Sequence, residues 1–184
     1  PKGYAVVPEG GLAMAHEAGS VTPRFAATLG RVEEAGKQWL ACVLRAGAGP
    51  KTFVHCVGDG ATWIFHQMGL QFGTQARYRV DFPHLSEYLS AAADSCAADS
   101  KPVWLRKQQQ RLKENHSDQV VDELAGFLER EKPLSGAMPV TACYRYPVNR
   151  PGQFDYPGAL AAGLPIGSGE IESGHRYVIQ ARLK

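Results

Sequence analysis

The stretch from Phe53 to Phe82 constrains the fold more than any other, because its hydrophobic period changes twice. Phe53-Val54-His55-Cys56-Val57 is a short run without formal charge, of the kind buried on both faces of a sheet, and it stops at Gly58-Asp59-Gly60. Residues 61 to 71 then take helical spacing, with Ile64 and Met68 on one side and Trp63 and Gln67 beside them. Tyr78 to Phe82 return to strand character and close on Asp81. A strand, a helix and a strand in that order predict an α/β chain, since parallel strands need a crossover that a helix supplies. Upstream, residues 11 to 30 read as a hairpin: a strand, a turn over Gly19-Ser20-Val21-Thr22-Pro23, and a second strand from Arg24 to Thr28. Val32, Ala35, Trp39, Val43 and Ala46 recur at steps of three and four and predict a helix, which Gly47 stops.

After residue 83 the character changes. Leu85, Tyr88, Leu89, Ala92 and Cys96 form one helical stripe, Leu105 and Leu112 a second, and Val120, Val121, Leu124, Phe127 and Leu128 a third. Residues 84–131 are therefore expected to be a helical insertion. Lys132 to Gly163 is rich in Pro and Gly and reads as loops, with one short helix near Tyr156 to Ala161. A last helix is expected from about Ser168, a favoured cap residue, with Ile171, Gly174, Val178 and Ala181 in phase. Three segments result: 1–83, 84–131 and 132–184. With 184 residues, 44% hydrophobic, 21% charged and a net charge of +2, the composition excludes a disordered tail and a coiled coil. No apolar run is long enough to cross a membrane, and the start lacks a secretory pattern. Four cysteines without a C-x-x-C pair argue against a zinc ribbon or a disulfide scaffold and fit a cytoplasmic location. The chain opens on Pro1 and stops inside a helical pattern, so a piece of a longer protein is expected.

Three polar clusters stand where chemistry is placed in α/β folds. Asp59, between two glycines at the end of a buried strand, can bind a hard cation through oxygen. It is equally suited to cap the helix that follows. Glu170 and Glu172 sit at the start of the last helix, where the helix dipole alone favours acids, and Glu172 also has Arg176 four residues on. Asp81, His84 and Glu87 form the third cluster, where a lone His is more often a packed or capping group than a catalyst. Lys101, Arg106, Lys107, Arg111 and Lys113 form a basic run without an acid between them, and Arg176, Arg182 and Lys184 with His175 form a second. A solvated helix face is the ordinary reading of such a run. Two basic surfaces beside a carboxylate site also suit a phosphate backbone.

Four ordered motifs make the sequence recognisable. Val57-Gly58-Asp59-Gly60-Ala61-Thr62-Trp63-Ile64, then Val80-Asp81-Phe82-Pro83-His84-Leu85-Ser86-Glu87-Tyr88-Leu89, then Gly163-Leu164-Pro165-Ile166-Gly167-Ser168-Gly169-Glu170-Ile171-Glu172-Ser173, then Arg182-Leu183-Lys184 resemble bacterial insertion-sequence transposases of the Kra type. Ala15 to Pro23 also looks like the family's second strand and turn. The likeness runs from about residue 11 to the end.

The resemblance implies a ribonuclease-H-like core of the DDE type, a mixed sheet flanked by helices and interrupted by a helical insertion before the last catalytic helix. It implies metal-dependent DNA strand cleavage and transfer at transposon ends. Asp59 and Glu172 would be two of three carboxylates holding Mg2+ (or Mn2+), with Asp81, His84, Glu87 and Glu170 in support. The partners would be transposon-end and target DNA, contacted by the two basic clusters, and the resemblance leaves open a homo-oligomer assembled on DNA. The family's first catalytic Asp lies on the first core strand, whereas no Asp precedes Asp59 here, so that strand is expected to be missing. Pro83 also stands where the family has an aromatic residue. The alternative is a non-catalytic nucleic-acid-binding remnant. A small-molecule hydrolase using Asp59 and His84 lacks a nucleophile.

Overall fold

The computed structural model describes residues 2–6, 10–17, 20–28, 30–133 and 136–169, with side chains from Gly30 onward and those of Ala26 and Thr28. Two compact units result, one from the chain up to Asp81 together with the chain from Gly167, the other from Phe82–Ile166. In the first, β1 (Lys2–Val6), β2 (Gly10–Glu17) and β3 (Ser20–Ala27) precede α1 (Val32–Arg45), β4 (Val54–Gly58), α2 (Thr62–Phe72) and β5 (Ala76–Val80). They form one mixed sheet in the order β3-β2-β1-β4-β5. β1 is antiparallel to β2 and parallel to β4, and β5 is parallel to β4, so β2 alone runs against the rest.

A strand that the pattern did not predict, Lys2–Val6, is β1, in the middle of the sheet, with Gly3 to Val6 paired to Val54 to Val57. Its short run carries no acid and lies close to Pro8 and two glycines, which hid it from pattern reading. The hairpin is also longer than expected, since Glu17 pairs with Ser20 and Pro23 lies within β3. A proline there is tolerated because β3 is the edge of the sheet. β5 ends two residues before the expected Phe82, which instead opens the next helix.

All five residues of β4 are buried, as its uncharged run predicted, but Phe53, read as the start of that run, lies before the strand and is 46% exposed. α1 and α2 pack on each other and on the sheet, with Trp39, Cys42 and Val43 of the first and Ile64 and Met68 of the second in the core. Trp39 stacks on Trp63 at 5.4 Å between ring centroids. The buried face of α1 includes Gly36, while Val32, placed on that face by spacing, is 40% exposed. Gly36 is where α2 comes nearest: a Cβ there would lie 2.1 Å from Oε1 of the buried Gln67. Gly36→Ala should therefore destabilise the chain by about 1 to 2 kcal/mol, overpacking outweighing the helix-propensity gain. Gly69, in α2 with open space around it, gives the opposite sign: Gly69→Ala should stabilise by about 0.5 to 1 kcal/mol. Urea denaturation of both variants reads the pair, and equal shifts would contradict the packing described.

The second unit is helical: α3 (Phe82–Cys96), α4 (Lys101–Lys113), α5 (Ser117–Leu128), α6 (Pro139–Val148) and α7 (Tyr156–Ala161). α3 packs on α4 and α6, and α5 on the same two, around Leu85, Leu89, Leu112, Leu124, Val140 and Cys143. The expected insertion over 84–131 is thus the first part of a unit that continues to Ile166, and α6 lies where loops were expected. Its prolines misled the reading. Pro139 occupies the first turn, where a missing N–H is harmless. The orphan donors of that turn are met from a distance, by the Glu131 carboxylate, which accepts from Val140 N–H (2.6 Å), Thr141 N–H (2.9 Å) and the Thr141 hydroxyl. Among the described residues, no helix is long and apolar enough to cross a membrane.

Candidate functional site

The carboxyl edge of β4 and β5 brings together the two acids that sequence spacing left apart. Gly58 pairs with Val80, so Asp59 and Asp81 are the next residues on neighbouring parallel strands, whose axes lie about 4.8 Å apart. The Asp81 N–H donates to the Gly58 carbonyl at 2.6 Å and extends the ladder by one bond. Asp59 is exposed, and its Oδ1 accepts the Ala61 N–H at 2.8 Å, so the carboxylate is steadied by the entry to α2 and still faces solvent. The capping alternative is met in part: Asp59 serves the local turn, but α2 takes no side-chain cap bond at its N-cap, Ala61. Gly60 has φ +81, a left-handed conformation that favours glycine, and its N–H donates to the Tyr78 hydroxyl at 2.9 Å.

Asp81 differs from Asp59 in being only 6% exposed. Its Oδ2 accepts from the Ser168 N–H at 3.1 Å and from the Ser168 hydroxyl. Oδ1 is buried without a hydrogen-bond partner among the described residues. Local pattern places Ser168 at a helix cap and carries no sign of this bond, since its partner lies 87 residues earlier. The shared signal was that Asp81 and Ser168 each fall inside a recognised motif.

Glu170, Glu172, Arg176, Arg182 and Lys184 lie outside the described residues. His84 and Glu87 are on the first turns of α3, in the helical unit, with Nδ1 of His84 3.5 Å from Oε2 of Glu87. The imidazole also meets Tyr88 and Tyr146 edge to face, at 5.4 and 5.7 Å between centroids. The ring is half-buried between these tyrosines and the exposed Glu87.

The basic run on α4 is largely engaged within its own unit. Lys101 pairs with Asp94, Lys107 with Glu123 at 3.0 Å and Arg111 also with Glu123, while Lys113 stands 4.8 Å over the ring of Phe82. Arg106 is exposed, with no ion pair to another described residue. Burial would raise the pKa of Glu123, but hydrogen bonds from Lys107, Arg111, Trp104 and Gln108 outweigh it and hold the carboxyl at about 2. Of the four free cysteines, burial pushes up the thiols of Cys56, of Cys143 (to about 12) and, with the charges of Glu123 and Glu131, of Cys96 (to about 11). These three stay protonated near neutrality and offer no thiolate nucleophile.

Among the described residues, no three His, Cys, Asp or Glu side chains gather as a metal-holding group. No protein-family model, curated protein or solved structure matches the chain.

Proposed function

We propose that this chain is the ribonuclease-H-like catalytic core of a DDE-type transposase of the Kra type, acting on DNA at transposon ends. The reading is supported by a mixed sheet with a helical unit interposed before the segment that bears Glu170 and Glu172. The observation that carries it is the return of the chain to the sheet. Ser168 is bonded to Asp81, beside the strand end where Asp59 lies, and the acidic segment begins there.

The donors at this edge suit a divalent cation. Carboxylate oxygens are the ligands hard cations take, and Oδ1 of Asp81 is buried at the same edge without a hydrogen-bond partner among the described residues. Asp59 and Glu172 would hold Mg2+ (or Mn2+), which supplies Lewis-acid stabilisation at a scissile phosphate and activates water or a 3′-hydroxyl. The chain's own part is to hold Asp59 in place through the Ala61 N–H. Mn2+ titrated into the chain should bind, and Asp59→Asn and Glu172→Gln should each weaken that binding by about tenfold or more. Binding that neither substitution changes would overturn the assignment.

One observation favours the second reading, a nucleic-acid-binding remnant without chemistry. β1, the strand on which the resemblance places the first catalytic Asp, reads Lys-Gly-Tyr-Ala-Val and carries no acid. Both readings require DNA contact, and Arg106 is the cleanest probe because its loss disturbs no ion pair among the described residues. Arg106→Ala should reduce the slope of log K against log salt by about 0.9, the share of one neutralised phosphate on duplex DNA. Fluorescence anisotropy across a salt series measures this, and an unchanged slope would take Arg106 off the DNA-facing surface.

A further inference from the structure

Asp81 is an acid buried at the functional edge whose bonded oxygen is committed to a residue 87 positions away. Its backbone is fixed by the bond from its N–H to the Gly58 carbonyl, so the carboxylate is mounted on the sheet itself rather than on a loop. A carboxylate that accepts both an amide and a hydroxyl from one residue fixes that residue's backbone and side chain together, and such charge-assisted bonds are the stronger kind. Ser168 is the point so held, and Glu172 follows it by four residues, which reach at most about 14 Å even when extended.

We propose that Asp81 is a positioning residue that anchors the returning chain at Ser168, at the strand end where Asp59 lies. This rests on the transposase reading for its purpose, but the anchor itself is a separate claim about the chain. It also gives the second and third recognised motifs a common reason to exist, since each supplies one half of the bond. In this role Asp81 acts through Oδ2 and Ser168.

Two readouts separate the anchor from the chemistry. Amide hydrogen exchange at Ser168 should quicken by about tenfold or more in Asp81→Ala, while Asp81→Asn, which keeps an accepting oxygen, should lie close to the unsubstituted chain. Mn2+ affinity should fall by about tenfold in Ser168→Ala and be restored by Ser168→Thr, which returns the hydroxyl; a merely structural loss would not follow the hydroxyl in this way. Ser168 lies on the returning segment and not in the core, so its variants keep the test open if Asp81→Ala fails to fold. Exchange at Ser168 that is unchanged in Asp81→Ala, or Mn2+ affinity that is unchanged in Ser168→Ala, overturns the anchor. If the unsubstituted chain binds no Mn2+, the transposase reading falls, and exchange at Ser168 still decides whether Asp81 holds the segment.

Discussion

Incubated with Mg2+ or Mn2+ and DNA carrying candidate transposon ends, the unsubstituted chain is expected to give no strand transfer. Two metal ions about 3.5 to 4 Å apart need a carboxylate between them, and the first-strand Asp is the natural bridge in the family this chain resembles. β1, the first strand of this sheet, offers Lys2, Gly3, Tyr4, Ala5 and Val6 and no acid. Asp59 and Glu172 alone would leave such a pair under-coordinated and their own charges uncompensated. The deficit should amount to several kcal/mol of transition-state stabilisation, or several orders of magnitude in rate. The check is a strand-transfer assay beside an Asp59→Asn, Glu172→Gln control. Turnover that the double substitution abolishes would refute the prediction. It would mean that another acid completes the site, and Asp81, next to Asp59 across the strand ends, would be the first to replace by Asn.

What could be learned from the sequence divides along physical lines. β4 was legible because burial on both faces demands an uncharged run, and α2 because Ile64 and Met68 keep a helical step toward it. The placement of Asp59 followed from those two elements alone. β1 was not legible: its five residues gain their structure from pairing with β2 and β4, a tertiary cause that local pattern does not carry. α6 was lost for a related reason. Pro139 and Pro147 read as helix breakers, and the side chain that satisfies the first turn belongs to Glu131, several residues upstream. The basic run of α4 was visible, yet its partners were not, since Asp94 and Glu123 lie on α3 and α5 and the run contains no acid of its own. The Asp81 to Ser168 bond is the extreme case, with a whole helical unit between donor and acceptor.

Glu123→Ala is expected to destabilise the helical unit by about 3 kcal/mol, or about two orders of magnitude in its unfolding equilibrium. The carboxylate accepts from Trp104 Nε1 at 2.7 Å, Gln108 Nε2 at 3.0 Å, Lys107 Nζ at 3.0 Å and Arg111, so one side chain of α5 ties together four of α4. Lys107 is half exposed and recovers water when the acid is lost, so it contributes little. Gln108 is fully buried, and its amide would be left without an acceptor, which is the larger part of the penalty. The pH dependence has a definite sign. Because the folded-state value of about 2 lies below the ordinary 4.5, the stabilisation is fully present above about 4.5 and fades as pH falls toward 2. Acid unfolding should therefore be steeper for the unsubstituted chain than for Glu123→Gln, which has no proton to gain. Glu129→Ala, on an exposed residue just after α5, should stay within about 0.5 kcal/mol and serves as the control. Chemical denaturation at pH 3 and pH 6 reads all three variants. A loss in Glu123→Ala no larger than in Glu129→Ala would mean that the α4 basic residues do not depend on this acid, and that Lys107 and Arg111 are free to meet phosphate.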